Sequence, residues 1–244
     1  MILNMSSAEP EGNTSAPTGA GSFRDEDRTT KARIRDAAIT CFAENGVSGT
    51  TARKVADAAG VSPGLVIHHF GSMEGLRRAC DDHVATSVRR YKTEALASGP
   101  SLDVLAALRQ SGAGPLAGYL AAVLVEDSPV VDELVDDLIA DARGYLEQGV
   151  ASGMVNESAD PDGRAAVVML WSLGALVMHR HLRRTLGVDL TAPGIGDDPA
   201  LAAYALPAYE IFAGGMLTEE FGARARAAFS PTPVAPEGEQ DSTE

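Results

Sequence analysis

With 244 residues, a formal net charge of −14, 45% hydrophobic and 22% charged residues, the chain has ample length for a buried core, one or two domains and the composition of a soluble globular protein. No apolar run reaches the roughly 18–20 residues that span a bilayer, and the start Met1-Ile2-Leu3-Asn4-Met5 lacks the basic and apolar regions of a secretory signal. Two cysteines, Cys41 and Cys80, are too few for a disulfide scaffold or a Cys-based zinc site, so a reduced cytoplasm is the expected compartment.

The acidity taken alone argues against a nucleic-acid partner. Its distribution reverses that argument. Residues 1–27 carry 1 basic and 5 acidic side chains, residues 28–92 carry 11 and 6, and residues 93–244 carry 8 and 23. A basic module therefore sits inside an acidic protein, and a basic face is the footprint of phosphate binding, because each neutralised phosphate releases counterions.

In chain order, residues 1–27 are rich in Ser, Gly, Pro, Glu and Thr and read as a disordered tail, as do residues 230–244. Between them the apolar residues recur with helical spacing. Ile34, Ala37, Ala38, Cys41 and Phe42 form a first stripe. Leu76, Cys80, His83, Val84, Val88, Tyr91 and Ala95 form a second. Leu134, Val135, Leu138, Ile139, Ala142, Tyr145 and Leu146 form a third, and Val167, Leu170, Trp171, Gly174, Val177, Met178, His181 and Leu182 a fourth. Polar caps followed by Pro mark helix starts at Ser62-Pro63, Ser128-Pro129, Asp160-Pro161 and Asp198-Pro199. Sparse aromatics and no alternating segment leave an all-α fold of about nine helices. The expected spans are 29–45, 52–59, 63–70, 73–97, 101–110, 115–125, 129–152, 161–186 and 199–228, the last bent at Pro207.

The second and third of these helices are short and joined by Gly60-Val61-Ser62. Small Ala56 and Ala59 stand where the two must approach, and Val55, Val61, Val66 and Phe70 point inward. This is a helix-turn-helix pattern. The shape also serves as plain packing, but the surrounding basic module points to DNA. Such a unit leads into the major groove with the N-terminal residues of its second helix, here Ser62, Pro63, Gly64 and Leu65.

The stretch Arg33-Ile34, Ala37-Ala38, Phe42, Gly46, Thr50-Thr51, Val55-Ala56, Ala59-Gly60-Val61-Ser62-Pro63-Gly64, His68-His69-Phe70-Gly71-Ser72 and Glu74-Gly75-Leu76 resembles the TetR (tetracycline-repressor) family of bacterial transcription regulators. The resemblance covers about residues 30–80. It implies a DNA-binding helix-turn-helix domain at 28–75, an effector-binding and dimerisation domain at 76–229, and a homodimer on a palindromic operator, released by a small molecule. By position it implies that Thr51 contacts phosphate, that Ser62, Pro63, Gly64, Leu65 and His68 face the groove, and that His69 contacts the backbone. Two positions depart from the pattern: Ile67 stands where Tyr is usual, and Met73 where Lys is usual. Positive charge then falls to His68, Arg53, Lys54 and the basic first helix with Arg28, Lys31, Arg33 and Arg35.

An effector pocket is expected among the helices of the C-terminal part. Its candidate lining is Leu105, Leu108, Leu120, Leu138, Tyr145, Trp171, Met178 and His181, with Arg109 and Tyr119 as polar handles. That lining is mostly apolar, which suggests a lipophilic or aromatic effector. Trp171 faces either that pocket or a core or dimer contact. His181 is either a polar handle or a packing residue. His68 and His69 point about 100° apart on a helix and chelate poorly together. Asp132, Glu133, Asp136, Asp137 and Asp141 lie opposite an apolar stripe and read as a solvated face. No phosphate loop, nucleophile elbow or His-Glu-x-x-His pattern is present, so neither an enzyme nor a metal or other cofactor is expected. The dimer is expected to use 161–186 and 199–228, with Gly174, Ala175, Ala202, Ala203, Ala208, Gly214 and Gly215 allowing close approach. Two other classes stay open: a DNA-binding protein controlled by a protein partner, and a helical interaction protein that does not bind DNA.

Overall fold

A computed structural model describes residues 19–102, 113–214, 216 and 218–229. These residues are helical and contain no strand. The helices are α1 (Gly19–Gly49), α2 (Ala52–Ala59), α3 (Pro63–Phe70), α4 (Met73–Ala97), α5 (Ala113–Val123), α6 (Pro129–Ala151), α7 (Pro161–Val177), α8 (His179–Leu186), α9 (Ala202–Ala213) and α10 (Glu219–Phe229), with short 3-10 turns between some of them. The start of α1 lies ten residues earlier than the expected 29, inside the stretch read as a tail. The expected helix at 101–110, with Leu105, Leu108 and Arg109, falls almost wholly outside the described residues. So do Gly215 and the segment 230–244.

Local chemistry accounts for most boundaries. Thr51, Ser62, Ser72 and Asp160 each cap a helix by accepting a backbone N–H, and Pro63, Pro129 and Pro161 fill first-turn positions where no N–H is needed. The α2–α3 turn depends on Gly60, which is left-handed at φ 65° and ψ 39°. Two expectations are corrected. The 161–186 helix breaks at Met178, where α8 turns away by 73°. There the His179 ring comes within 2.8 Å of the Leu176 carbonyl, a side-chain partner at the bend. The expected 199–228 helix is not one helix but α9 and α10, interrupted after Ala213. Helix α9 runs through Pro207, whose missing N–H costs one ladder bond, and stops at Gly214.

One core runs the length of the molecule. Ile34, Ala38 and Phe42 of α1, Val55 and Val66 of the helix-turn-helix, Leu76 and Val84 of α4, Tyr119 and Val123 of α5, Leu138 and Ala142 of α6, and Ala165 and Leu173 of α7 are all buried in it. Helix α5 is its wedge, lying against α1, α7 and the 188–197 loop. Close approach there requires glycine. A Cβ on Gly114 would strike the Ala192 carbonyl, and one on Gly118 would come within 3.2 Å of Ala43 Cβ.

Tyr119 joins the two halves. Its ring meets Phe42 of α1 edge-on at 5.9 Å, and its hydroxyl donates to Asp81 Oδ1 of α4 at 2.6 Å. Next to this bond, Arg77 Nη1 donates to Glu126 Oε2 at 2.8 Å, and Arg77 Nε lies 3.5 Å from Asp81 Oδ2. Burial raises the Asp81 carboxyl above the ordinary range, although Tyr119 and Arg77 pull it down. Burial and the Asp81 charge push the Tyr119 hydroxyl far up, so it remains a donor.

Two consequences are measurable by thermal unfolding. Tyr119→Phe keeps the ring contact but strips a buried carboxylate of its donor, and should cost about 1.5–3 kcal/mol. An unchanged Tm would mean that the bond does not hold the joint. Gly114→Ala should destabilise by about 1–3 kcal/mol through backbone overlap. Gly144→Ala, in the open on α6 with nothing within 4 Å, should instead stabilise by about 0.5–1 kcal/mol. Shifts of the same sign would refute the packing described for α5.

Candidate DNA-reading face and effector body

The candidate reading face is built by α1–α3. Val55, Ala56, Ala59 and Val66 are buried, which fixes the angle between α2 and α3. What remains outside is the N-terminal end of α3, where Ser62, Pro63 and Gly64 are exposed and Leu65 is half-buried. Ser62 Oγ accepts the Leu65 N–H at 3.2 Å, so its cap role and its place at the tip coincide. A Cβ on Gly64 would meet nothing closer than Ser62 Oγ at 4.0 Å. The small residue is therefore not demanded by packing inside the chain.

Thr51, Arg53, Lys54 and His68 are exposed around that tip, and His69 is half-buried. Thr51 Oγ1 accepts the Lys54 N–H at 3.3 Å, capping α2. The Lys54 ammonium is already engaged, donating to Asn45 Oδ1 at 3.1 Å and to the Gly49 carbonyl at 2.8 Å. It thus anchors α2 to the end of α1 as well as adding charge. Ile67, an apolar side chain, is 40% exposed on α3. On α1, Lys31 lies over the Phe70 ring at 5.5 Å, Arg33 is exposed, and Arg35 is spent on Asp36 at 2.7 Å.

The expected pocket residues separate into two groups. Leu120, Leu138 and Tyr145 are buried in the C-terminal body. Tyr119 is buried too, but its hydroxyl is committed to Asp81 and is not a free handle. Trp171, Met178 and His181 lie outward. Trp171 is 39% exposed and stacks on Phe212 of α9 at 4.9 Å. Trp171 lies on the outer of two apolar stripes of α7, and past the break at Met178 His181 lies on α8, which has no buried residue. The inward stripe of α7 is Ala165, Met169 and Leu173, while Val167, Leu170 and Trp171 form a second, exposed apolar stripe.

Asp132, Glu133, Asp136 and Asp137 are exposed as expected, and Asp141 pairs with Arg89 at 3.1 Å. Among the described residues no group of three His, Cys, Asp or Glu side chains could hold a metal ion. Both thiols are buried, and burial pushes Cys80 up to about 12, so it is not a thiolate nucleophile. Sequence reasoning missed the Arg77–Asp81–Glu126 cluster. Its only trace is two charges at i, i+4 on the inward stripe of α4.

Residues 34–80 match the family model for bacterial regulatory proteins of the tetR family, and residues 112–218 match the model for the tetracyclin repressor-like C-terminal domain. The HTH-type transcriptional regulatory protein RaaS of Mycobacterium tuberculosis is 38% identical over 202 residues, covering 81% of this chain and 91% of that protein. The HTH-type transcriptional repressor KstR2 of Rhodococcus jostii is 28% identical over 150 residues, covering 53% and 70%. Among solved structures, a TetR-family regulator from Rhodococcus sp. aligns with a TM-score of 0.51 at 20% identity over 76% of this chain and 98% of its own. The regulator FadR of Bacillus subtilis, in complex with stearoyl-CoA, aligns with a TM-score of 0.51 at 19% identity over 76% and 99%. With a relative this similar along nearly its whole length, and with reader and C-terminal body each matching the family's models, the chain belongs to the TetR family of transcriptional regulators.

Proposed function

We propose that the protein is a homodimeric repressor that holds a palindromic operator with two copies of α3 and lets go when a small, largely apolar molecule enters its C-terminal body. The observation that carries this is the joint at Tyr119. One side chain touches α1 of the reader and α4 below it, from a helix belonging to the body. A change in the setting of α5 therefore reaches both reader supports. Any ligand acts through its differential affinity for the two settings and no further.

Domain roles follow at 28–75 for reading and 76–229 for effector binding and pairing. The groove contacts assigned to the reader are Ser62, Pro63, Gly64, Leu65 and His68, with Thr51, Arg53, Lys54 and His69 toward phosphate. The acidic 93–244 part keeps the body off DNA. Transcriptional control of this kind places the protein in the cytoplasm with the chromosome. Relatives named as repressors, KstR2 among them, support repression.

The dimer face assigned to α7 and α9 rests on exposed apolar residues that a monomer would leave wet: Val167 at 64%, Leu206 at 67% and Phe212 at 58%, beside the Trp171–Phe212 stack. The effector region assigned to the body keeps Leu120, Leu138 and Tyr145. We assign Trp171, Met178 and His181, which are exposed, to the outer face rather than to the pocket.

Gly64→Glu puts an anion in the first turn of α3, where nothing inside the chain objects. Operator affinity should fall by more than about a hundredfold with helicity and Tm unchanged. Unchanged affinity would remove α3 as the reader. Wild-type affinity should fall with salt along a log-log slope that counts several phosphates, and a flat profile would contradict the basic reader. Phe212→Asp should turn the dimer into a monomer by sedimentation, whereas a persistent dimer would move the interface elsewhere.

A further inference from the structure

On α4, Val84, Val88, Lys92 and Leu96 are spaced i, i+4 and share one face. Val84 is fully buried, and Val88 and Leu96 pack against the core. Lys92 sits between them in the same stripe, yet its side chain is exposed. The ammonium is nonetheless surrounded by protein closely enough to lower it, so the accessible surface of Lys92 borders protein on most sides.

Helices α4 and α6 run parallel. Arg89 Nη1 meets Asp141 Oδ1 at 3.1 Å, and further along Ser152 Oγ donates to the Leu96 carbonyl at 2.7 Å. The offset between these two contacts puts Lys92 level with the turn of α6 that carries Tyr145. Tyr145 is buried, but its hydroxyl makes no hydrogen bond among the described residues and is not fully enclosed. Lys92 likewise has no carboxylate partner among the described residues, and Asp141 nearby is taken by Arg89.

We propose that Lys92 and Tyr145 are the polar end of the effector site, and that the effector is an amphiphile with a single carboxylate on an apolar body. The ammonium balances one negative charge and the phenol adds a second donor. A phosphate dianion would stay half-neutralised against one cation. Leu138 and Ala142, earlier on the inward stripe of α6, and Val88 supply an apolar continuation. Burial lowers the Lys92 ammonium, and burial together with the Asp141 charge pushes the Tyr145 phenol up to about 12, so both remain donors.

This inference rests on the reading of the C-terminal body as the effector domain, so the test reads ligand binding on the full-length protein without DNA. Octanoate, laurate and palmitate are compared below their micelle concentrations with octanol, dodecanol and hexadecanol, by calorimetry and by Tm shift. At least one carboxylate should bind roughly tenfold or more tighter than its alcohol, the value of one charge-assisted hydrogen bond. Lys92→Met and Lys92→Gln, checked for unaltered helicity, should lose that preference while retaining alcohol binding. Tyr145→Phe should weaken the carboxylate several-fold. Equal binding of acid and alcohol, no binding of any acid, or a carboxylate preference that survives both Lys92 variants would overturn the proposal. Operator binding by the ligand-free wild type, measured on the same preparation, reports separately on the repressor reading.

Discussion

The hydrogen bond from Tyr119 to Asp81 is the contact on which the architecture turns. It crosses from α5 to α4 in a place that admits almost no water, and the same ring braces Phe42 of α1. A buried carboxylate without a donor is costly, so the hydroxyl has one acceptable position. That position fixes how the reader sits on the body. The neighbouring Arg77 is drawn to two carboxylates, Glu126 with a good bond and Asp81 without one. Its Nε and Nη2 and the Asp81 Oδ2 have no hydrogen-bond partner among the described residues. The joint thus combines one firm hydrogen bond with a partly unsatisfied ion cluster.

Around that joint, charge and apolar surface are divided by task. Positive residues are concentrated in 28–92, around the helix-turn-helix, and acidic residues predominate in the rest. Helix α7 is apolar on two faces. Ala165, Met169 and Leu173 go inward, and Val167, Leu170 and Trp171 outward. A helix apolar on both faces has a second surface still to cover, and the stack of Trp171 on Phe212 extends that surface onto α9. The helix-turn-helix, the Tyr119 joint and the C-terminal helices share one continuous core.

The parts of this arrangement that were legible in the sequence are those set by local rules. The Ser62-Pro63 cap and the Gly60 turn marked the start of α3, and the spans expected for α2, α3 and α4 agree with the structure to the residue. Stripes in α1, α4 and α6 named the buried residues because each of those helices has one apolar face. Reasoning from periodicity failed where its assumptions did. On α7 two apolar stripes compete, and the outward one was taken for the inward. At Met178 the His179 side chain meets a backbone carbonyl at a bend, which no periodicity encodes. Pro207 left its helix unbroken because one lost ladder bond is tolerable. Tyr119 was assigned to a ligand because its partner, Asp81, lies 38 residues away. Lys92 escaped notice because a lysine on an apolar stripe looks like a gap in the pattern.

The central claim is that two copies of this chain read DNA together through α3. It is tested most directly by selecting duplexes from a random pool with the full-length protein, then measuring footprint and stoichiometry on the winners. The account predicts inverted half-sites about one helical turn apart, ~34–36 Å between centres, protected by two chains per duplex, with a single half-site bound far more weakly. Selection of no preferred sequence, or equal affinity for one half-site and two, would contradict it.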